Sequence, residues 1–248
     1  MYLTEHKDYS QLKVLLPLSG GINSAAVLCE LADAPTEFDP LELHLFYSHL
    51  SEHSEDTFKF VADLIRFARK RFSNVFVRII RGSVLKFFEA ENFIPHPTKS
   101  PCAQHLKIEP MEQYSNEHDI DVDLIGWVRE EFKRRYERAQ KYNPDVPMLI
   151  QIKSQKQYPI KEIQNEQCFE IVRAKIGWYP AVYDIRDEKG NRVFTHNNCF
   201  PCKSMTEKQH RDTATHFPKK HDKAMQLSQR LGLKWGRTGE NICRVCEF

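Results

Sequence analysis

The chain has 248 residues, 41% of them hydrophobic and 28% charged, enough for one α/β domain with an appendage or for two small domains. Its net charge of +2 is unevenly spread: residues 1–150 carry 18 Lys and Arg against 23 Asp and Glu, and residues 151–248 carry 18 against 11. No stretch approaches the ~18 apolar residues that a membrane span requires, and the opening MYLTEHKDYS has no apolar signal-peptide core.

Lys13 to Leu18 (KVLLPL) is a short apolar run ending at a Gly pair and reads as a buried strand, and Ser24 to Leu31 has helical spacing. Leu41 to Tyr47 predicts a second strand. Glu55 to Lys70 predicts a helix with Phe58, Val61, Leu64, Ile65 and Ala68 on one face. Val75 to Ile80 is a third strand, Glu109 to Glu117 a helix, Val122 to Trp127 a fourth strand, and Glu130 to Gln140 a charged helical stretch. Alternation of this kind implies βαβ units, hence a Rossmann-like, mainly parallel sheet with helices on both faces. Beyond Asn143 the pattern loosens. Pro144, Pro147, Pro159 and Pro180 punctuate short segments, Asp187 to Asn191 is a turn, and Thr206 to Leu231 is helical in parts, broken at Pro218. The expected division is a nucleotide-binding α/β domain over 1–150 and an acceptor section over 151–248.

Ser19 to Ser24 (SGGINS) lies where the first strand becomes the first helix. Two glycines let the backbone turn tightly and aim several N–H groups at one anion, and the helix adds its positive end. Ser19 and Ser24 supply hydroxyls. There is no Gly-Lys-Ser/Thr, so this is not a Walker loop. The alternative is a plain Gly turn with Ser24 as the helix N-cap.

The loop resembles the Ser-Gly-Gly-x-Asp-Ser signature of the PP-loop, or N-type ATP pyrophosphatase, superfamily, with Asn23 where many members carry Asp. Further segments are similar to the phosphoadenosine phosphosulfate (PAPS) reductase-like branch. These are Ser54 to Val61 (SEDTFKFV), Cys102 to Pro110 (CAQHLKIEP), Gly126 to Arg135 (GWVREEFKRR), Tyr158 to Ile160 (YPI) and Asn198 to Cys202 (NCFPC). The resemblance implies a cytoplasmic enzyme that binds ATP or PAPS with magnesium through Ser19, Gly20, Gly21, Asn23 and Ser24. It also implies phosphate- or sulfate-binding cations at Lys107, Arg129, Arg134 and Arg135. Arg offers a planar fork to such oxygens and Lys a point charge; Arg134 and Arg135 alternatively pair with Glu130 and Glu131 at helical spacing.

Seven cysteines without an export signal read as thiols or metal ligands in a reducing compartment. Cys199-x-x-Cys202 and Cys243-x-x-Cys246 have the spacing of a four-thiolate site, for zinc or a 4Fe-4S cluster, with zinc favoured. The segment around them is polar and Pro-broken, so the metal is expected to hold the chain end. Cys29 and Cys168 are expected in the core; Cys102 is a spare ligand, a reactive thiol or, by default, a core thiol. His49 and His53 flank the exit of the second strand, and His210, His216 and His221 read as a solvated basic face. The +7 balance of residues 151–248 points to a polyanion gripped by Lys219, Lys220, Lys223, Arg230, Lys234 and Arg237, with Trp235 free to stack.

Three functions fit. The first is adenylylation of a substrate with release of pyrophosphate, leading to sulfur transfer to a nucleic acid from a sulfur-donor protein. The second is a sulfonucleotide reductase, although the chain ends CRVCEF and lacks that family's Glu-Cys-Gly-x-His tail. The third is a non-catalytic nucleotide or nucleic-acid binding module.

Overall fold

A computed structural model describes residues 7–95, 100–132, 154–197 and 199–235. The chain divides into two compact units that interleave in sequence. The first is built from Met1–Tyr47, Thr57–Ile79 and Glu109–Tyr179, the second from Ser48–Asp56, Ile80–Ile108 and Pro180–Phe248.

The first unit carries a five-stranded parallel sheet. Its strands are β1 (Lys13–Leu18), β2 (Glu42–Leu50), β3 (Val75–Gly82), β4 (Val122–Leu124) and β5 (Gln155–Gln157), in the order β3-β2-β1-β4-β5. Val14, Leu15 and Leu16 are fully buried because β1 is central, held by β2 (Leu15 beside His44) and by β4 (Val14 beside Val122). A strand covered on both faces needs a continuous apolar run, and KVLLPL supplies one. The edge strands are polar: β5 is QKQ, and it escapes recognition from sequence for that reason.

Helix α1 (Ile22–Ala32) follows β1, α2 (Thr57–Arg71) follows β2, α3 is Val84–Ala90, α4 is Glu109–Glu117 and α5 is Asn165–Ile176. Tyr114 of α4 packs on His44 and Phe46, which alternate with the buried Leu43, Leu45 and Tyr47 along β2. Right-handed crossovers from β1 to β2 to β3 put α1 and α2 on one face. The return from β3 to β4 puts α4 on the other. The expected α/β, Rossmann-like architecture is thus observed. Val61, Leu64, Ile65 and Ala68 form the buried face of α2 as expected, but Phe58 is 38% exposed and Phe60 is buried in its place. Arg71 closes this layer: its guanidinium donates to the Ala32 and Ala34 carbonyls at 2.8 Å each and to Asp39 at 2.6 Å. It thereby satisfies carbonyls left open at the end of α1. No helix among the described residues is long and apolar enough to cross a membrane.

The second unit has its own core, formed by Leu50, Val84, Phe88, Ile94, Cys199, Ala224, Leu227 and Trp235. This corrects the expectation that the segment has too few apolar positions to hold itself. It also removes Trp235 as a stacking platform, since that side chain is 1% exposed and meets Phe88 edge-on at 5.9 Å. Helices α6 (Glu207–His216) and α7 (Pro218–Arg230) follow. Thr206 caps α6 in a reciprocal box with Gln209, and Pro218 opens α7 instead of breaking one long helix.

The expected solvated histidine face is corrected too. His216 is exposed, but His210 and His221 are buried, and among the described residues both ring nitrogens of His210 and Nε2 of His221 have no hydrogen-bond partner. Burial, with His221 adding to it, pushes His210 down to about 4; burial also lowers His221. The folded state therefore holds His210 neutral while the unfolded chain protonates near 6.5. Its contribution is full above that pH and is lost as pH falls toward about 4. His210→Leu is expected to flatten the acid limb of the unfolding free energy by up to about 3 kcal/mol without loss at neutral pH. Urea titrations of both proteins between pH 7 and 4.5 check this, and parallel limbs would contradict it.

Candidate functional site

The reversal of strand order falls between β1 and β4. In open α/β sheets ligands settle outside the carboxyl ends of the strands at such a point. Ser19 to Ser24 leave β1 there. Gly20 has φ +75°, and a Cβ on it would lie 2.3 Å from Thr57 Cγ2, a fully buried side chain. Gly21 is the N-cap of α1 and has no side chain to offer, which replaces the reading of Ser24 as the cap.

Ser24 instead clasps the loop. Its hydroxyl donates to the Gly21 carbonyl at 3.2 Å and accepts the Ser19 N–H at 3.0 Å. Ser19 Oγ stands 3.0 Å from Ser24 Oγ and accepts the Gly21 N–H at 3.1 Å. Asn23 is half-buried, and its Oδ1 is buried without a hydrogen-bond partner among the described residues.

The chain leaving β4 presses on this loop. A Cβ on Gly126 would meet Asn23 C and Ser24 N at 3.1 Å, a contact tight enough that the loop would have to give by a few tenths of an ångström. Trp127 then stacks on Tyr158 at 4.9 Å, and Phe132 meets Tyr158 edge-on at 5.2 Å. The GWVREE and YPI segments, far apart in sequence, are thus brought together. Arg129 is exposed, and its guanidinium donates to the Glu162 carbonyl at 2.6 Å. Arg134 and Arg135 lie outside the described residues. Beside the end of β4, a cavity of about 770 Å³ is lined by Tyr9, Val27, Leu31, Leu124, Tyr158 and Lys161, within the size range of small-molecule sites.

Lys107 belongs to the second unit, where its Nζ lies 3.4 Å from His53 Nε2. His53 is held well below its usual value by burial first and by Lys107 next, and so acts as a neutral acceptor. Burial, with Arg81 nearby, also lowers His49, whose ring is 6.5 Å from that of His53. Lys220 donates to the His53 carbonyl, and burial lowers its pKa.

Three thiols share this unit. Burial pushes Cys199 up to about 12, against the pull of Lys107. Cys102 is raised by burial and by Cys202, while Lys203, 2% exposed, is lowered by burial and held up by both thiols. Sequence spacing alone did not join Cys102 and Lys203 to the Cys199–Cys202 pair. Cys29 and Cys168 are fully buried. Cys243 and Cys246 lie outside the described residues, as does Arg237. Among the described residues no three His, Cys, Asp or Glu side chains converge to hold a metal ion. The four-thiolate set is therefore represented here by Cys199 and Cys202 alone.

A groove of about 360 Å³ runs between α3 and α7, lined by Lys86, Lys220, Lys223 and Arg230 together with Glu52 and Glu89. Glu52 is already satisfied, accepting from the hydroxyls of Ser51 (2.9 Å) and Ser83 (2.6 Å) and from the Val84 N–H (3.0 Å). Glu89 pairs with Arg230 at 2.8 Å. Lys86 comes from the acidic half of the sequence, and charge counting by halves had missed it.

No family model matches the chain, and no curated protein matches it in sequence. Among solved structures, the chain is similar to a PAPS reductase from Candida auris in a phosphate complex, with a TM-score of 0.45 and 12% identity, over 69% of this chain and 77% of that one. It is also similar to the U34-tRNA thiolase NcsA from Methanococcus maripaludis with its 4Fe-4S cluster, with a TM-score of 0.48 and 13% identity, over 98% of this chain and 82% of that one.

The loop geometry decides which substitution is informative. Gly20→Val is expected to lose about 3 kcal/mol or more, from the left-handed backbone plus the clash with Thr57, so its effect on ligands says nothing about contact. Ser24→Ala is expected to cost about 1–2 kcal/mol and keep the fold while weakening nucleotide binding. Thermal melts by circular dichroism and ATP titration separate the two; full ATP affinity in Ser24→Ala would remove the clasp from the site.

Proposed function

We propose that the chain is a PP-loop type, ATP-using enzyme that adenylylates its substrate and releases pyrophosphate, so that sulfur can then displace AMP. The observation that carries this reading is the closed backbone cradle of Ser19 to Ser24 at the strand-order reversal, with Gly126 set against it. In the reaction a substrate oxygen attacks the α-phosphorus, the bond to the bridging oxygen of the β-phosphate breaks, and negative charge grows on the departing pyrophosphate. Loop N–H groups and the start of α1 are suited to that charge. Arg129, Arg134, Arg135 and Lys107 are the proposed cationic partners of the phosphates and of the acceptor. Magnesium carried in with ATP would supply further charge neutralisation.

The proposed acceptor is a nucleic acid, and the cationic groove between α3 and α7 is its proposed docking surface, with a sulfur-donor protein as a further partner. Cys199, Cys202, Cys243 and Cys246 are proposed to hold one zinc or a 4Fe-4S cluster; soft thiolates suit both.

One preparation tests the reading. With ATP, the protein is expected to release pyrophosphate, faster when RNA is added at low salt and without that stimulation at high salt, and to release AMP once a sulfide source is supplied to displace it. With PAPS and a dithiol it is expected to form no sulfite. Elemental analysis should give about one zinc or about four irons per chain. Sulfite from PAPS would replace adenylylation with reduction, and silence with both nucleotides would leave a binding module.

A further inference from the structure

We infer that the Ser19 to Ser24 loop binds its phosphate group without a divalent cation, and that Asn23 sets this property. The inference deepens the proposed adenylylation and rests on the loop being its phosphate site.

The loop is neutral throughout, and the first turn of α1 contains no acidic residue. What it offers an anion is therefore backbone N–H groups and one amide, with no carboxylate to repel a phosphate. The side chain of Asn23 is half-buried, and among the described residues its Oδ1 is buried with no hydrogen-bond partner. A neutral amide tolerates that enclosure at modest cost, whereas a carboxylate would be a bare buried charge. The enclosure is not readily relieved: the Asn23 backbone is pinned by the close approach of Gly126, and its neighbour Ser24 holds Ser19 and Gly21. An acidic residue at this position would thus need a cation, to neutralise it and to stop it repelling the phosphate a few ångströms away. Asn23 removes that need.

Inorganic pyrophosphate is the probe, titrated calorimetrically into the full chain in EDTA and again in magnesium. The wild type is expected to bind with affinities within about threefold in the two buffers. Asn23→Asp is expected to bind about tenfold or more weakly in EDTA and to recover in magnesium. Asn23→Ala is expected to be a few-fold weaker in both, with no metal response, and it serves if the aspartate variant does not fold. Wild-type binding that is about tenfold tighter with magnesium overturns the inference while leaving the phosphate loop standing. Equal loss for Asn23→Asp in both buffers also overturns it, because the carboxylate would then not be acting through a cation. No wild-type binding in either buffer removes the loop itself, and the inference with it.

Discussion

The first unit depends on two close backbone approaches made at glycines. Gly20 turns the chain at φ +75° against the buried Thr57, and Gly126 brings the exit of β4 to 3.1 Å from the backbone of Asn23 and Ser24. Together they seat the start of α1 between two strands whose connections run in opposite directions. Helix α1 begins there, at Ile22, with Gly21 as its N-cap and no side-chain cap; the anion-binding role proposed for the loop starts from that seat. The hydroxyls of Ser19 and Ser24 are engaged with the loop itself. Their role in the described state is to hold the cradle open in one shape.

The second unit is organised around a different constraint, the enclosure of polar and nucleophilic groups in a small apolar core. Cys199 is 8% exposed, Lys203 2% and His53 2%, and each has its pKa moved by burial in the direction that disfavours charge. Lys107 stands beside His53, and Lys203 beside Cys102 and Cys202; the lysines pull the thiols down, but burial, the larger effect, leaves Cys199 and Cys102 raised. A cluster of shifted groups of this kind is a candidate site of chemistry. The described residues supply two of the four cysteines read from sequence as ligands, and a third thiol, Cys102, that spacing alone did not join to them.

Much of the sheet was legible in the sequence because its central strands are continuous apolar runs, and a strand buried on both faces has no other way to be built. The turn between β1 and α1 was legible because its glycines stand at a strand–helix junction. What was not legible has physical reasons. The polar edge strand β5 carries no hydrophobic period. Phe58 and Phe60 are both aromatic two residues apart, so periodicity alone did not fix which one faces inward. His210, His221 and Trp235 looked like surface groups because their neighbours in sequence are charged, yet each lies on the inner side of its segment. The two units interleave along the chain, which no linear search for linkers detects. Lys86, from an acidic stretch, joins cations of α7 only through tertiary packing of α3 on that helix.

The central claim is that the turn after β1 is where the nucleotide's phosphates sit, and amide hydrogen exchange tests it most directly. Exchange is followed with and without ATP across the peptides spanning Ser19 to Ser24 and Ile125 to Arg129. The account predicts slowed exchange in both segments on ATP addition, because the ligand would occupy the loop N–H groups and fix the Gly126 approach. Protection confined to the second unit, with the loop amides unchanged at saturating ATP, would contradict it.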